Sequence, residues 1–213
     1  KIDSMENILL STKNDSIKII LLHDLAWEYR RTIPERAFTL SKKALSLAIQ
    51  LNDKSQIAKS YSRIASCHYN QGNIEKAKEN YLLSLNLYQE LGKKRETALM
   101  LSNIGNVYGE LSNYPLALEY FLKGTKIFEE QKDSISIARN LINIGVVYHD
   151  LKDEQEYLEY NFKALAIFEK LNDDYGLLGC LSNIGSLYLE QKNTKEALKY
   201  LSRCEKILEQ SCK

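Results

Sequence analysis

"LSNIG" occupies residues 101–105, "LINIG" residues 141–145, and "LSNIG" returns at residues 181–185. Each copy sets a glycine inside what otherwise reads as a helix, at a cost of roughly 1 kcal/mol relative to alanine. The Asn-Ile-Gly triplets start at 103, 143 and 183, so the interval is 40 residues each time. The flanks keep step. Leu101, Leu141 and Leu181 precede the triplets, and Tyr108, Tyr148 and Tyr188 follow the glycines by three positions. Forty residues upstream the same frame finds Tyr61, Ile64, Ala65 and His68, and one more copy, "LLHDLAWEY" at 21–29, fits through Leu22, Leu25, Ala26 and Tyr29.

The second half of each copy has its own pattern. Ala37, Ala77, Ala117 and Ala197 open an apolar stripe that continues through Tyr81, Phe121 and Leu201, and small residues recur at Ala44, Ser84, Gly124, Ala164 and Cys204. Both halves carry apolar residues at helical spacing. Forty residues therefore predict two antiparallel helices of roughly 16 residues, each about 24 Å long. The boundaries agree: Asp15, Asp53, Asp133 and Asp173 are expected to cap the first helices, and Asn73, Asn113, Asp153 and Asn193 the second. Pro115 then falls in a first turn, where proline is tolerated. The glycines are expected to let the paired helices approach, with the small residues Ala117 and Gly124 facing Gly105. The fourth copy departs from the pattern, with Tyr157 in place of alanine and Asn161 in place of an aromatic or leucine. Leu158, Phe162 and Leu165 still supply a stripe, which predicts a helix rotated or shifted locally.

Composition narrows the function classes. The chain has 213 residues and a net charge of +1, from 29 basic and 28 acidic side chains, which gives no electrostatic footprint for nucleic acid or a membrane surface. No apolar run is long enough to span a bilayer. The four cysteines, Cys67, Cys180, Cys204 and Cys212, lack C-x-x-C spacing and read as small apolar helix residues. His23 and His149 each adjoin an aspartate, but neighbours on a helix point about 100° apart, so neither pair is expected to converge on one centre. No metal-ligand spacing, cofactor motif or nucleophile elbow appears, and the expectation is a non-enzyme without cofactor or metal.

The pattern Leu101, Ile104, Gly105, Tyr108, Ala117, Phe121 and Gly124, repeated every 40 residues, resembles the tetratricopeptide repeat, whose usual period is about 34 residues. The longer period is similar to variants in spindle-orientation scaffolds, kinesin light chains and bacterial signalling proteins. The resemblance implies an all-α, right-handed superhelical solenoid. It would comprise a lead helix within 1–13 and one solenoid over 14–213, with repeats at 14–52, 53–92, 93–132, 133–172 and 173–211.

The resemblance further implies that the first helices line a concave groove that binds a protein or peptide. On that groove it places Arg63, Asn103, Asn106, Arg139, Asn143 and Asn183. Asparagine is a poor helix former, so its recurrence at 103, 143 and 183 asks for a reason. Its amide can clamp a partner's main chain by donating and accepting, or it can bond a neighbouring repeat and shape the superhelix. Arg63 and Arg139 offer forks for carboxylates. Glu110, Asp150 and Glu190 form an acidic row where the helix dipole disfavours negative charge, and read as a solvated edge.

The last helix, "TKEALKYLSRCEKILEQ" at 194–210, carries the stripe of an interior helix through Leu198, Leu201 and Leu208. A solenoid end normally needs a polar cap, so the stripe predicts a truncated solenoid with further chain downstream, or self-association through this helix. The opening residues resemble the start of repeat domains in bacterial sensor proteins. That likeness implies the sensory or regulatory region of a larger signalling protein, placed outside the cytoplasm. A cytoplasmic adaptor and a peptide-pheromone receptor are the alternatives. Partners are expected to be protein or peptide, with no nucleic acid and no direct membrane contact.

Overall fold

The computed structural model describes residues 1–211, and Cys212 lies outside them. Among the described residues there are eleven helices and no strand: α1 Ile2–Ser11, α2 Asp15–Tyr29, α3 Pro34–Gln50, α4 Lys54–Asn70, α5 Ile74–Glu90, α6 Lys94–Glu110, α7 Tyr114–Glu130, α8 Ser134–Asp150, α9 Glu154–Leu171, α10 Asp174–Glu190 and α11 Thr194–Ser211. The fold is all-α and built from helical hairpins, as the repeat predicts.

The hairpin turns follow from one compact device. Residues 52, 72, 92, 112, 132, 152, 172 and 192, twenty apart, all have positive φ, between 51° and 75°. A left-handed residue just past a helix end lets the next amide reach back to the last turn. Asp53 N accordingly donates to Ala48 O at 3.0 Å, and Asn193 N to Tyr188 O at 2.8 Å. That next residue is also the N-cap of the following helix: Asp53 Oδ1 accepts from Gln56 N at 3.0 Å, Asp153 Oδ1 from Glu156 N at 3.1 Å and Asp173 Oδ1 from Gly176 N at 3.0 Å. At α2 the cap is Asn14, which accepts from Ile17 N at 3.1 Å, and not Asp15, which lies inside the helix.

The chain forms two compact units, residues 1–112 and 113–213. In the first, Ile19, Leu22, Leu25 and Ala26 of α2 pack on Ala37, Leu40, Ala44 and Ala48 of α3, and Ile2, Met5 and Leu9 of α1 lie against this cluster. Tyr29 Oη donates to Glu6 at 2.8 Å and helps to hold α1 in place. In the second unit, Ala164, Leu165 and Phe168 of α9 meet Cys180, Leu181 and Ile184 of α10, with Tyr200 and Cys204 of α11. A side chain such as Phe168, 1% exposed, contributes about 1.5–3 kcal/mol by leaving water. Tyr148 and Tyr188 stack on Tyr160 and Tyr200 with centroids 5.5 and 5.8 Å apart, which gives the tyrosine row its role.

Three expectations are corrected. First, α9 is not rotated. Tyr157, Asn161, Ala164, Leu165 and Phe168 are buried, while Leu158 and Phe162 are only half-buried. The polar residue stays in the core position because it is hydrogen-bonded there. Second, the buried face of α11 runs through Ala197, Tyr200 and Cys204, and Leu198 and Leu208 stand 61% and 53% exposed. Third, Gly145 and Gly185 meet side chains four residues beyond the position where the repeat places its alanine. A Cβ on Gly145 would lie 3.0 Å from Asn161 Nδ2, and one on Gly185 would lie 2.7 Å from the side chain of Leu201. At these two glycines the close approach that offsets the propensity cost is therefore made against a large side chain.

Candidate ligand-binding faces

Helices α4 and α6 carry the expected binding residues of the first unit. Arg63 stands one turn beyond Lys59 on α4, so both cations share one face. The Arg63 guanidinium carbon lies 4.5 Å from the centre of the Trp27 ring, and that of Arg30 lies 3.6 Å from the same ring. Trp27, 42% exposed, is thus a platform for two guanidinium groups. Burial holds Arg63 below the ordinary guanidinium value, and burial followed by repulsion from Arg63 lowers Lys59.

Both side chains line an open pocket of about 380 Å³ with Gln56, Tyr88, Arg95 and Glu96. Arg63 Nε and Gln56 Oε1 are buried there without a hydrogen-bond partner among the described residues. Two mutually repelling cations lining one pocket suit a ligand that brings a carboxylate. On α6, Asn103 and Asn106 are half-buried, and neither side chain is bonded to another described residue.

In the second unit Arg139 is exposed on α8, and Asn143, one turn on, is half-buried with no side-chain partner among the described residues. Asn183 on α10 differs. Its Nδ2 donates to Asn161 Oδ1 at 2.9 Å, Asn161 Nδ2 donates to Tyr157 O at 2.8 Å, and Tyr157 Oη donates to Asn183 O at 3.3 Å. Burial pushes the Tyr157 hydroxyl up to about 12, so it remains a donor at neutral pH. At position 183, then, the asparagine bonds its neighbour in the preceding repeat. At 103 and 143 the amides stay unengaged.

The acidic row is tied to the preceding repeats. Glu110 accepts from Tyr69 Oη at 3.0 Å, and Glu190 lies 3.8 Å from His149 Nε2. His149 Nδ1 lies 4.0 Å from Asp150, so this imidazole does come between two carboxylates, with its ring 5.0 Å from that of Tyr157. His68, in a tyrosine position, packs edge-on against Phe38 at 5.1 Å. His23 is fully buried, with Nε2 3.4 Å from Ser60 Oγ. Cys67, Cys180 and Cys204 are buried free thiols, and burial pushes Cys180 up to about 12.

Lys59 follows from helix spacing as a neighbour of Arg63 on α4, but sequence reasoning missed Gln56 and Trp27 beside Arg63, and it missed Asn140. That side chain is 2% exposed and donates to Phe121 O and Thr125 Oγ1, both at 3.2 Å. Its signal was available. Met100 and Cys180 occupy the same repeat position, so an amide there required a buried acceptor.

Comparison with known proteins agrees with this architecture. The family model described as tetratricopeptide repeat matches residues 56–130 and 136–210. No curated protein sequence matches the chain. Among solved structures, BtubC from P. vanneervenii is 21% identical, with a TM-score of 0.76 over 99% of this chain and 87% of its own. The Rap conjugation gene regulator of plasmid pLS20, solved in complex with a Phr peptide, is 12% identical, with a TM-score of 0.77 over 92% of this chain and 55% of its own. A Signal Transduction ATPase with Numerous Domains, with a tetratricopeptide repeat sensor, from Pyrococcus horikoshii is 19% identical, with a TM-score of 0.77 over 98% of this chain and 32% of its own. The chain thus spans about half of the Rap regulator and a third of the Pyrococcus horikoshii protein. With the family model covering well over half of its length, the chain belongs to the tetratricopeptide repeat family.

Proposed function

We propose that the chain is a non-catalytic scaffold that binds a peptide or an extended protein segment along the first helices of its repeats, and that it serves as the sensory or regulatory region of a signalling protein. The observation that carries this reading is the state of Asn103 and Asn143. Both stand at the same repeat position, each just before a buried isoleucine, with amides that no described side chain engages. An amide donates and accepts at once, which matches the alternating N–H and C=O groups of an extended main chain. Within its own unit each amide has a polar neighbour on its helix, Asn106 beside Asn103 on α6 and Arg139 one turn before Asn143 on α8, and Asn183 holds the equivalent repeat position on α10.

The Lys59–Arg63 pocket adds a charge requirement. It favours a ligand with an acidic group, because a carboxylate between the two cations removes their mutual repulsion. The solved Rap regulator with its Phr peptide, and the sensor portion of the Pyrococcus horikoshii protein, support the peptide-binding and sensory parts of the reading.

Selection from a random peptide display library tests this. Enriched sequences are expected to share an acidic residue, and Arg63→Ala is expected to lower their affinity about tenfold or more, the loss of one charge-assisted contact. Failure to enrich any sequence, or equal binding by parent and variant, contradicts the reading.

A further inference from the structure

The irregular fourth repeat carries a chain of hydrogen bonds that ends on Asn183. The chain of bonds has a fixed polarity. Tyr157 O is a carbonyl and can only accept, so Asn161 must turn its Nδ2 toward it. Asn161 is fully buried, so its Oδ1 is left pointing at Asn183 and needs a donor. Asn183 must therefore turn its Nδ2 inward. Its own Oδ1 then faces away from Asn161 and has no partner among the described residues. The Tyr157 hydroxyl, bonded to Asn183 O, ties the same turn of α10 to the same turn of α9.

Nothing orients the other two amides in this way. Phe121 stands in the repeat position of Asn161, and Asn143, 22 residues after it as Asn183 is 22 after Asn161, has no acceptor or donor to fix its amide. Asn103 likewise has no side-chain partner. Two rungs are free to flip and one is set.

We infer that Asn161, held by Tyr157 O, is a positioning residue that presents Asn183 to the ligand as a hydrogen-bond acceptor, so that the bound peptide must offer a main-chain N–H at that rung. This rests on the binding reading given above. It assigns a reason to both departures of the fourth repeat. Restoring the regular pattern at 161 with an apolar side chain would release the Asn183 amide. Leu201, the residue at this position in the last repeat, packs opposite Gly185, so a leucine is compatible with a glycine across the hairpin.

The test uses the full chain and a peptide selected from a random display library, whose main-chain amides are methylated one at a time. Methylation at one position is expected to lower affinity about tenfold in the parent, the loss of one buried hydrogen bond. That same penalty should shrink to within about twofold in both Asn183→Ala and Asn161→Leu, because both variants remove the oriented acceptor. If the penalty disappears in Asn183→Ala but persists in Asn161→Leu, Asn183 binds the peptide without being positioned, and the inference fails while the binding reading stands. If no methylation is coupled to Asn183, the rung itself is wrong.

Nuclear magnetic resonance of the unliganded parent supplies a check independent of the variants' folding. The Asn183 side-chain amide should exchange with solvent more slowly than those of Asn103 and Asn143. Equal exchange of all three amides overturns the inference.

Discussion

Asn183 and Asn161 share a side-chain hydrogen bond of 2.9 Å between α10 and α9, and only the second of them is fully buried. The energetic consequences for the pair are therefore unequal. Asn161→Ala removes packing volume and leaves Tyr157 O without its side-chain donor, which is expected to cost about 1–3 kcal/mol in urea unfolding. Asn183→Ala leaves Asn161 Oδ1 at a half-buried edge that water can reach, and should cost about 1 kcal/mol or less. Equal losses would show that the bond is not organised from the α9 side.

Two glycines three residues apart in α10 should respond in opposite directions. A Cβ on Gly176 would fall 2.2 Å from Cδ1 of the buried Phe168 ring, which has no free direction in which to move. Gly176→Ala should destabilise by about 1–3 kcal/mol through overpacking. A Cβ on Gly179 meets nothing within 4 Å, so Gly179→Ala should stabilise by up to about 1 kcal/mol from helix propensity alone. Thermal unfolding of the two variants beside the parent decides both signs.

Acid stability should depend on His23. Burial, with Lys59 and Arg63 nearby, lowers its pKa from 6.5 to about 3. Between those values the unfolded chain takes up a proton that the folded chain refuses, so stability falls as pH drops below about 6.5. The slope from this group is at most about 1.4 kcal/mol per pH unit inside that window, and it vanishes above it. Urea midpoints measured from pH 7 to pH 4 should therefore fall more steeply for the parent than for His23→Leu. Parallel curves would contradict the buried neutral imidazole.

Asn140 ties α8 to α7 through Phe121 O and Thr125 Oγ1. Asn140→Ala should cost about 1–3 kcal/mol, because a buried acceptor loses its cross-helix donor. Asn140→Met, with the residue that the preceding repeat carries at this position, should fill the space yet still lack the cross-helix donor, leaving Phe121 O with its side-chain bond from Thr125 Oγ1 alone. Full stability in the methionine variant would show that shape, not hydrogen bonding, decides the site.

The hairpin fold was legible because its central buried positions recur at a fixed interval. Ile104, Ile144 and Ile184 are all buried, as are Gly105, Gly145 and Gly185. The turns were legible from their capping residues, with two slips: Asn14 caps α2 in place of Asp15 because both residue types cap helices, and Asn73 stands at the N-cap of α5 without a side-chain bond to the helix. The irregular repeat was visible as an anomaly but misread as a rotation. A polar residue at a core position looks displaced until its partners are known, and the partner of Asn161 is Asn183 in the next helix. Periodicity shows which face a residue occupies and cannot show which side chain meets it. The pocket around Arg63 was half legible for the same reason: Lys59 follows from helix spacing, whereas Trp27 lies in the preceding copy, 36 residues upstream, where the 40-residue period does not pair it with Arg63.

The most direct measurement is a calorimetric titration of a library-selected peptide into the parent and into the triple variant Asn103→Ala, Asn143→Ala, Asn183→Ala, with circular dichroism showing that both remain helical. Loss of about a hundredfold or more in affinity, at unchanged helicity, is the result predicted for amides that grip a main chain. Equal affinity of the two proteins would contradict the account and move the binding surface away from the first helices.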